Sequence, residues 1–196
     1  LPSEPKVLAF DTSAAHCAAA LICGPDIIAS RAEAMTRGQA ERLMPMLQDI
    51  LTEAGLDWSG LDSIGVGTGP GNFTGIRISV SAARGLALGL NKPAVGVSGL
   101  EALAAMAPSG HIPAIPAPRD QVYLQQPGAA PQVLPRDQAE SLGTLFTDDD
   151  PEQLACAIAR IAAQRRTLPQ TPPAPLYLRP ADAAPSRDAP PALLDP

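Results

Sequence analysis

Aromatic rings are scarce in this chain: three Phe, two Tyr and one Trp, 3% of 196 residues. A core with so few rings must be filled by Ala, Leu, Ile and Val, and small side chains exclude voids only when they pack closely. Cysteine is sparse too. Cys17, Cys23 and Cys156 are odd in number and lack zinc-site CxxC spacing, which argues against a metal or disulfide framework and for a reducing cytoplasm. The two histidines, His16 and His111, stand far apart with no second ligand at metal spacing, so no metal site is expected. Positive charge is in deficit, with 14 Lys and Arg against 20 Asp and Glu for a net charge of -6. A protein that grips nucleic acid alone neutralises several phosphates, and this one is poorly equipped to do so. No apolar run approaches the roughly 20 residues of a membrane helix. Asp11 and His16 interrupt the stretch after Lys6 that a signal peptide would need continuous.

What is present is an apolar fraction of 45%, enough for one ordinary domain or two small ones. Proline is plentiful and uneven: nine of 23 lie between Pro169 and Pro196, so an extended or disordered C-terminal end is expected. Short apolar runs at Val7 to Phe10, Ala18 to Cys23 and Ile27 to Ala32, separated by turn residues, predict a β-meander. Leu43, Leu47, Ile50 and Ala54 recur at helical spacing within Gln39 to Ala54, with Met46 and Leu51 widening the face. Pro45 suggests that the regular part of this helix begins near Met44. Ser63 to Thr68 reads as a strand running into a glycine loop, and Thr74 to Leu90 as a second helix. Ala94 to Val97 supplies another strand and Leu100 to Met106 a short helix. Beyond Pro108 the pattern weakens to strands at Ile112 to Ile115 and Gln121 to Gln125, then a helix at Pro151 to Arg166. This alternation predicts an α/β fold. We place a boundary near Ser109, giving an N-terminal lobe 1–108 and a smaller lobe 109–196, one side of which the last helix is expected to cover.

The helix from Thr74 to Leu90 is apolar nearly all round, with Ile76, Val80, Ala83, Ala87 and Leu90 on one stripe and Ile78, Ala82, Leu86 and Gly89 on another. Such a helix is buried on more than one side, either within its own domain or against another chain. Gly85 and Gly89 would fit close helix contact. Chemistry is harder to find. The loop from Gly69 to Gly75 has no lysine at the P-loop position and no GxGxxG spacing. Asp11, Thr12 and Ser13, with Gly69, Gly71 and Asn72, could touch a nucleotide phosphate, but these are also favoured turn residues. Ser98 and Cys17 have no neighbouring base in sequence. Asp148, Asp149 and Asp150 suit the start of a helix at Pro151.

Read together, Leu8-Ala9-Phe10-Asp11-Thr12-Ser13, Glu41-Arg42-Leu43-Met44-Pro45 and Gly69-Pro70-Gly71-Asn72-Phe73-Thr74-Gly75-Ile76-Arg77 resemble the TsaB family. Pro93 to Ser98, Arg119 to Tyr123 and Tyr177-Leu178-Arg179 continue the likeness in order. The resemblance implies an actin-like, sugar-kinase-like (ribonuclease H-like) α/β fold, a mixed sheet with helices in two lobes, the second reduced. It implies a non-catalytic scaffold for tRNA threonylcarbamoyladenosine formation that binds the catalytic paralogue TsaD and, transiently and with nucleotide, TsaE. On this reading the chain alone binds no cofactor, ATP, ADP and metal belong to partner subunits, tRNA is met only through the complex, and no membrane is involved. The partner-binding residues implied are Leu43, Met44, Met46, Leu47 and Ile50 on the first helix, with Thr74, Ile78, Ser81, Ala82 and Gly85 on the second. A homodimer through the same helices is one expected state of the isolated chain. Where the catalytic paralogue carries a metal-binding His-x-x-x-His, this chain has Gly99 and Leu103. Gln39 and Ala117-Pro118-Arg119 depart from the usual pattern. The alternative is a stand-alone nucleotide phosphohydrolase or kinase using Asp11 and the glycine loop. Peptidase activity would need a metal that the chain has no residues to ligate, and direct RNA contact would fall to Arg165 and Arg166.

Overall fold

The computed structural model describes residues 4–179 of the 196. The meander forms as expected: β1 (Lys6–Asp11), β2 (His16–Cys23) and β3 (Asp26–Ala34) pair antiparallel in sequence. On the other side of β1, β4 (Ser63–Gly67) and then β5 (Ala94–Val97) add in parallel, giving the order β3-β2-β1-β4-β5. This mixed five-stranded sheet is the actin-like arrangement.

Alternation along the strands sends successive side chains to opposite faces of the sheet. Leu8, Phe10, Leu21, Ile64 and Val66 point one way, against α1 (Gln39–Glu53) and α2 (Phe73–Leu90). Ala9, Ala18, Ala20 and Gly65 point the other way, against α5 (Pro151–Arg165). The α5 face is tightly closed: a Cβ added at Gly65 would lie 2.9 Å from Ala9 Cβ and 3.0 Å from Ala162 Cβ. The last helix was expected on the second lobe, and it packs instead on the first sheet. Ala155, Ile158, Ala159 and Ala162 give it an inner face of mostly small side chains that lies close over Ala9, Ala18, Ala20 and Gly65, with Val7, Ile22, Val95 and Val97 in the same core.

Pro45 does not delay α1, which runs unbroken from Gln39. Proline removes one N–H donor and crowds the carbonyl four residues back, and here both Pro45 and Glu41 are exposed, so water can satisfy the orphaned carbonyl. After α3 (Gly99–Met106) the chain crosses to a second sheet of order β8-β7-β6-β9, and it crosses back at α5. Its strands are β6 (Ile112–Ala117), β7 (Gln121–Leu124), β8 (Gln132–Pro135) and β9 (Leu145–Phe146). β6, β7 and β8 are antiparallel neighbours, and β9 joins β6 in parallel. The small helix α4 (Arg136–Ser141) follows β8, and its Ala139 joins Ile112, Ala114, Val122 and Leu124 in a separate core. β8, α4 and β9 were not foreseen. Of the extended C-terminal end, residues 169–177 form neither helix nor strand, and 180–196 lie outside the described residues.

Candidate functional site

The glycine loop leaves β4 and folds directly onto the turn between β1 and β2. Asn72 caps α2, its side-chain oxygen accepting from Gly75 N–H at 2.9 Å, while its own N–H donates to Ser13 O at 2.6 Å. Thr12 Oγ1 donates to Gly75 O at 2.7 Å. Asp11 Oδ2 accepts from Ser13 N–H and Ser13 Oγ, each at 2.8 Å, and lies 2.8 Å from His16 Nε2. Asp11, Thr12 and Ser13 are all buried. A Cβ at Gly71 or Gly75 would overlap the carbonyl oxygen of Ser13 or Thr12, so the two backbones are in close contact there. Gly69, at φ +89°, makes the turn between them and accepts from Gly99 N–H at 2.8 Å. The six candidate phosphate-contacting residues are thus brought together, with Asp11, Thr12, Ser13, Gly69 and Asn72 bonded within this cluster or to the adjoining backbone and Gly71 pressed against Ser13. A helix N-terminus attracts anions through unsatisfied N–H groups, and here the chain supplies acceptors for the Gly75 and Asn72 N–H groups.

The segment 172–179 crosses the carboxyl ends of β4 and β5. Leu176 N–H donates to Thr68 O at 2.8 Å, and the Tyr177 ring stacks on Phe73 with centroids 4.6 Å apart. The Arg77 guanidinium sits 5.4 Å from the other partner of that stack, the Phe73 ring. Between this segment, the glycine loop and the second sheet lies a cleft of about 620 Å³.

The other nucleophile and ligand candidates are occupied or inert. Ser98 Oγ accepts from Glu101 N–H at 3.1 Å and so caps α3. Burial pushes the Cys17 thiol up to about 11, with the Glu33 carboxylate adding to the effect, which leaves it unreactive at neutral pH. Gly99 opens α3 and Leu103 is buried. No group of three or more His, Cys, Asp or Glu among the described residues could hold a metal. Asp150 caps α5, accepting from Glu152 N–H at 2.9 Å. Of the basic pair proposed to touch RNA, Arg165 pairs with Glu101 and Arg166 donates to Ala163 O at 2.7 Å.

On the opposite side of the lobe, α1 and α2 leave a groove of about 510 Å³ lined by Met44, Trp58, Ala82, Gly85, Leu86, Gly89 and Leu90. The structure divides the expected partner-binding residues. Leu43, Met46, Leu47 and Ile50 are at most 1% exposed, because the inner stripe of α1 faces the chain's own sheet, and they present no surface to a partner. Met44, Thr74, Ser81 and Gly85 are exposed, and Ile78 and Ala82 are half-buried. Ile78, Ala82, Gly85 and Gly89 follow helical spacing along one face of α2. Among the described residues nothing lies within 4 Å of a Cβ built at Gly85 or Gly89, so no described helix of this chain occupies the space above them. Leu88, which the sequence reading passed over, is 85% exposed. Trp58 was also missed: it stands in a short 3-10 turn, Trp58–Gly60, that carries no periodic signal.

The lobe thus has two loops bonded to one another at the carboxyl ends of its central strands and an open apolar groove on its far side. Comparison with known proteins gives it a family. The family model described as "TsaD: tRNA N6-adenosine threonylcarbamoyltransferase" matches residues 27–174. The Escherichia coli K12 tRNA threonylcarbamoyladenosine biosynthesis protein TsaB is 39% identical over 99 residues, 50% of this chain and 42% of the relative. Among solved structures, a Pseudomonas aeruginosa protein described as similar to peptidase YeaZ superposes with a TM-score of 0.71 at 30% identity, covering 89% of this chain and 100% of that one. YeaZ of the same organism gives 0.67 at 31%, covering 82% and 93%. YeaZ being TsaB, the chain belongs to the TsaB family. It spans about half the length of the curated relatives it matches.

Proposed function

We propose that this chain is a non-catalytic, cytoplasmic subunit of tRNA threonylcarbamoyladenosine formation, and that it works by docking a TsaD-type partner in the groove between α1 and α2. The observation that carries the reading is the space above Gly85 and Gly89 that no described residue fills, flanked by Met44, Leu86 and Leu90. Small residues let helix backbones approach closely, and a partner helix laid there would bury apolar side chains that now face water. Leu88 and Met44 extend the patch, and patches of this kind mark interaction surfaces. Among the described residues no helix is long and apolar enough to cross a membrane. The consumed phosphate loops support assigning nucleotide and metal to other subunits, TsaE among them. A stand-alone phosphohydrolase is the weaker reading, since Asp11 and Thr12 are committed to internal hydrogen bonds.

Reconstitution tests this directly. The chain alone should show no ATP turnover, and threonylcarbamoyl transfer to tRNA should require both this chain and the same organism's TsaD-type protein. Gly85→Arg, which fills the groove without touching the core, should abolish the transfer. Turnover by the chain alone that Asp11→Asn removes would sink the proposal.

A further inference from the structure

We propose that the outer stripe of α2, formed by Arg77, Ser81, Arg84 and Leu88, extends the docking surface and meets carboxylates on the partner, an inference that rests on the docking of a TsaD-type chain at this helix. The four residues follow one another at spacings of four, three and four, so they share one face. All are exposed, Leu88 by 85%. Ser81 and Leu88 stand one turn to either side of Gly85, so a chain laid over that glycine reaches the stripe as well. Seven positions separate the two arginines, which sets them about 10 Å apart along the helix axis.

Within the chain these two charges are unanswered. Arg31, Arg42, Arg136 and Arg165 each pair with an Asp or Glu. Arg77 and Arg84 pair with none among the described residues, and α2 itself contains no acidic residue. Arg77 is held instead 5.4 Å from the centroid of the Phe73 ring, which stacks on Tyr177. A cation on an aromatic face keeps its charge, and one already held in place costs less to order on binding. A partner that covered the stripe without carboxylates would strip water from two guanidinium groups and return nothing. A second copy crossing through α2 would set arginine against arginine, so the charge selects a different chain. Nucleic acid fits less well, since two cations on a chain of net charge -6 neutralise few phosphates and the apolar Leu88 lies on the same stripe.

The test is the dissociation constant of the complex with the same organism's TsaD-type protein, measured by calorimetry at about 0.05 M and about 0.3 M NaCl. Wild type should bind about tenfold more weakly at the higher salt. At the lower salt Arg84→Gln, which leaves the Phe73 and Tyr177 rings untouched, should weaken binding about fivefold. Arg77→Glu with Arg84→Glu should weaken it about a hundredfold, and both differences should shrink at the higher salt. A complex that Gly85→Arg abolishes, but that ignores salt and both arginine variants, would overturn the carboxylate match and leave the docking of the partner standing. Absence of a wild-type complex at either salt would overturn both. Binding of tRNA to this chain alone that Arg84→Gln weakens about fivefold or more would assign the stripe to phosphates instead.

Discussion

The two faces of the first sheet differ in how closely their helices are packed. On one, Ala9, Ala18, Ala20 and Gly65 form a low patch beside Val7, Ile22, Val95 and Val97, and over that patch α5 lies so close that Gly65 cannot accept a methyl group without displacing Ala9 or Ala162. On the other, Leu8, Phe10, Leu21 and Ile64 stand tall beneath two helices that meet over them and leave a groove between their outer surfaces. Glycine therefore serves two ends in one lobe. At Gly65 it admits a helix of the same chain, and at Gly85 it borders an open groove, where a partner helix is proposed to dock.

Four substitutions bear on that contrast, and all can be read by urea unfolding. Ile158→Ala on the closed face should cost about 3 kcal/mol, the lost transfer energy plus a cavity that close packing prevents from collapsing. Gly65→Val should cost about 2 kcal/mol by overpacking; a neutral result would show that α5 is free to move away from the sheet. On the open face the sign reverses, and Gly85→Ala should stabilise by about 0.5 kcal/mol because a helical glycine gains order at no steric cost. A loss there would mean that the groove is already filled in the free protein. The smallest effect belongs to the outer edge of α1, where the Arg42 guanidinium hydrogen-bonds Glu33 and holds its carboxyl below the usual glutamate range. Both side chains are about one-third exposed, so Glu33→Gln should cost only about 0.5 kcal/mol at neutral pH. Because the folded value lies below the unfolded one, that contribution is present above the ordinary glutamate range. It is lost as pH falls through the depressed folded value, so wild type and variant should converge in acid.

The meander, α1, α2 and β5 were legible in the sequence because each carries a complete local signal: alternation, a 3.6-residue stripe, or a turn at its ends. β8, α4 and β9 were not, since four, six and two residues are too few to show a period. The two stripes of α2 were visible, but their phase was not. Periodicity alone could not tell that Ile76, Val80 and Ala83 face inward while Gly85 and Gly89 face outward. For α1 the strongest stripe was read as a docking surface, yet Leu43, Leu47 and Ile50 are the core, and Met44, one residue off that stripe, reaches the groove. The destination of α5 was hidden for a related reason. A run of alanines shows that something approaches closely and does not say which sheet. The turn residues at Asp11 to Ser13 were legible as such, but the partner of Thr12 across 63 residues, Gly75, is visible only in three dimensions.

The central claim is that the space above Gly85 and Gly89 belongs to another chain. Its most direct test is light scattering on a sizing column, with this protein and the same organism's TsaD-type protein run separately and mixed, in wild-type and Gly85→Arg forms. The account predicts a stable one-to-one species for wild type, with loss of any homodimer, and separate components for a Gly85→Arg variant that unfolds at the wild-type urea concentration or above. A mixed species that forms equally well with Gly85→Arg would contradict it.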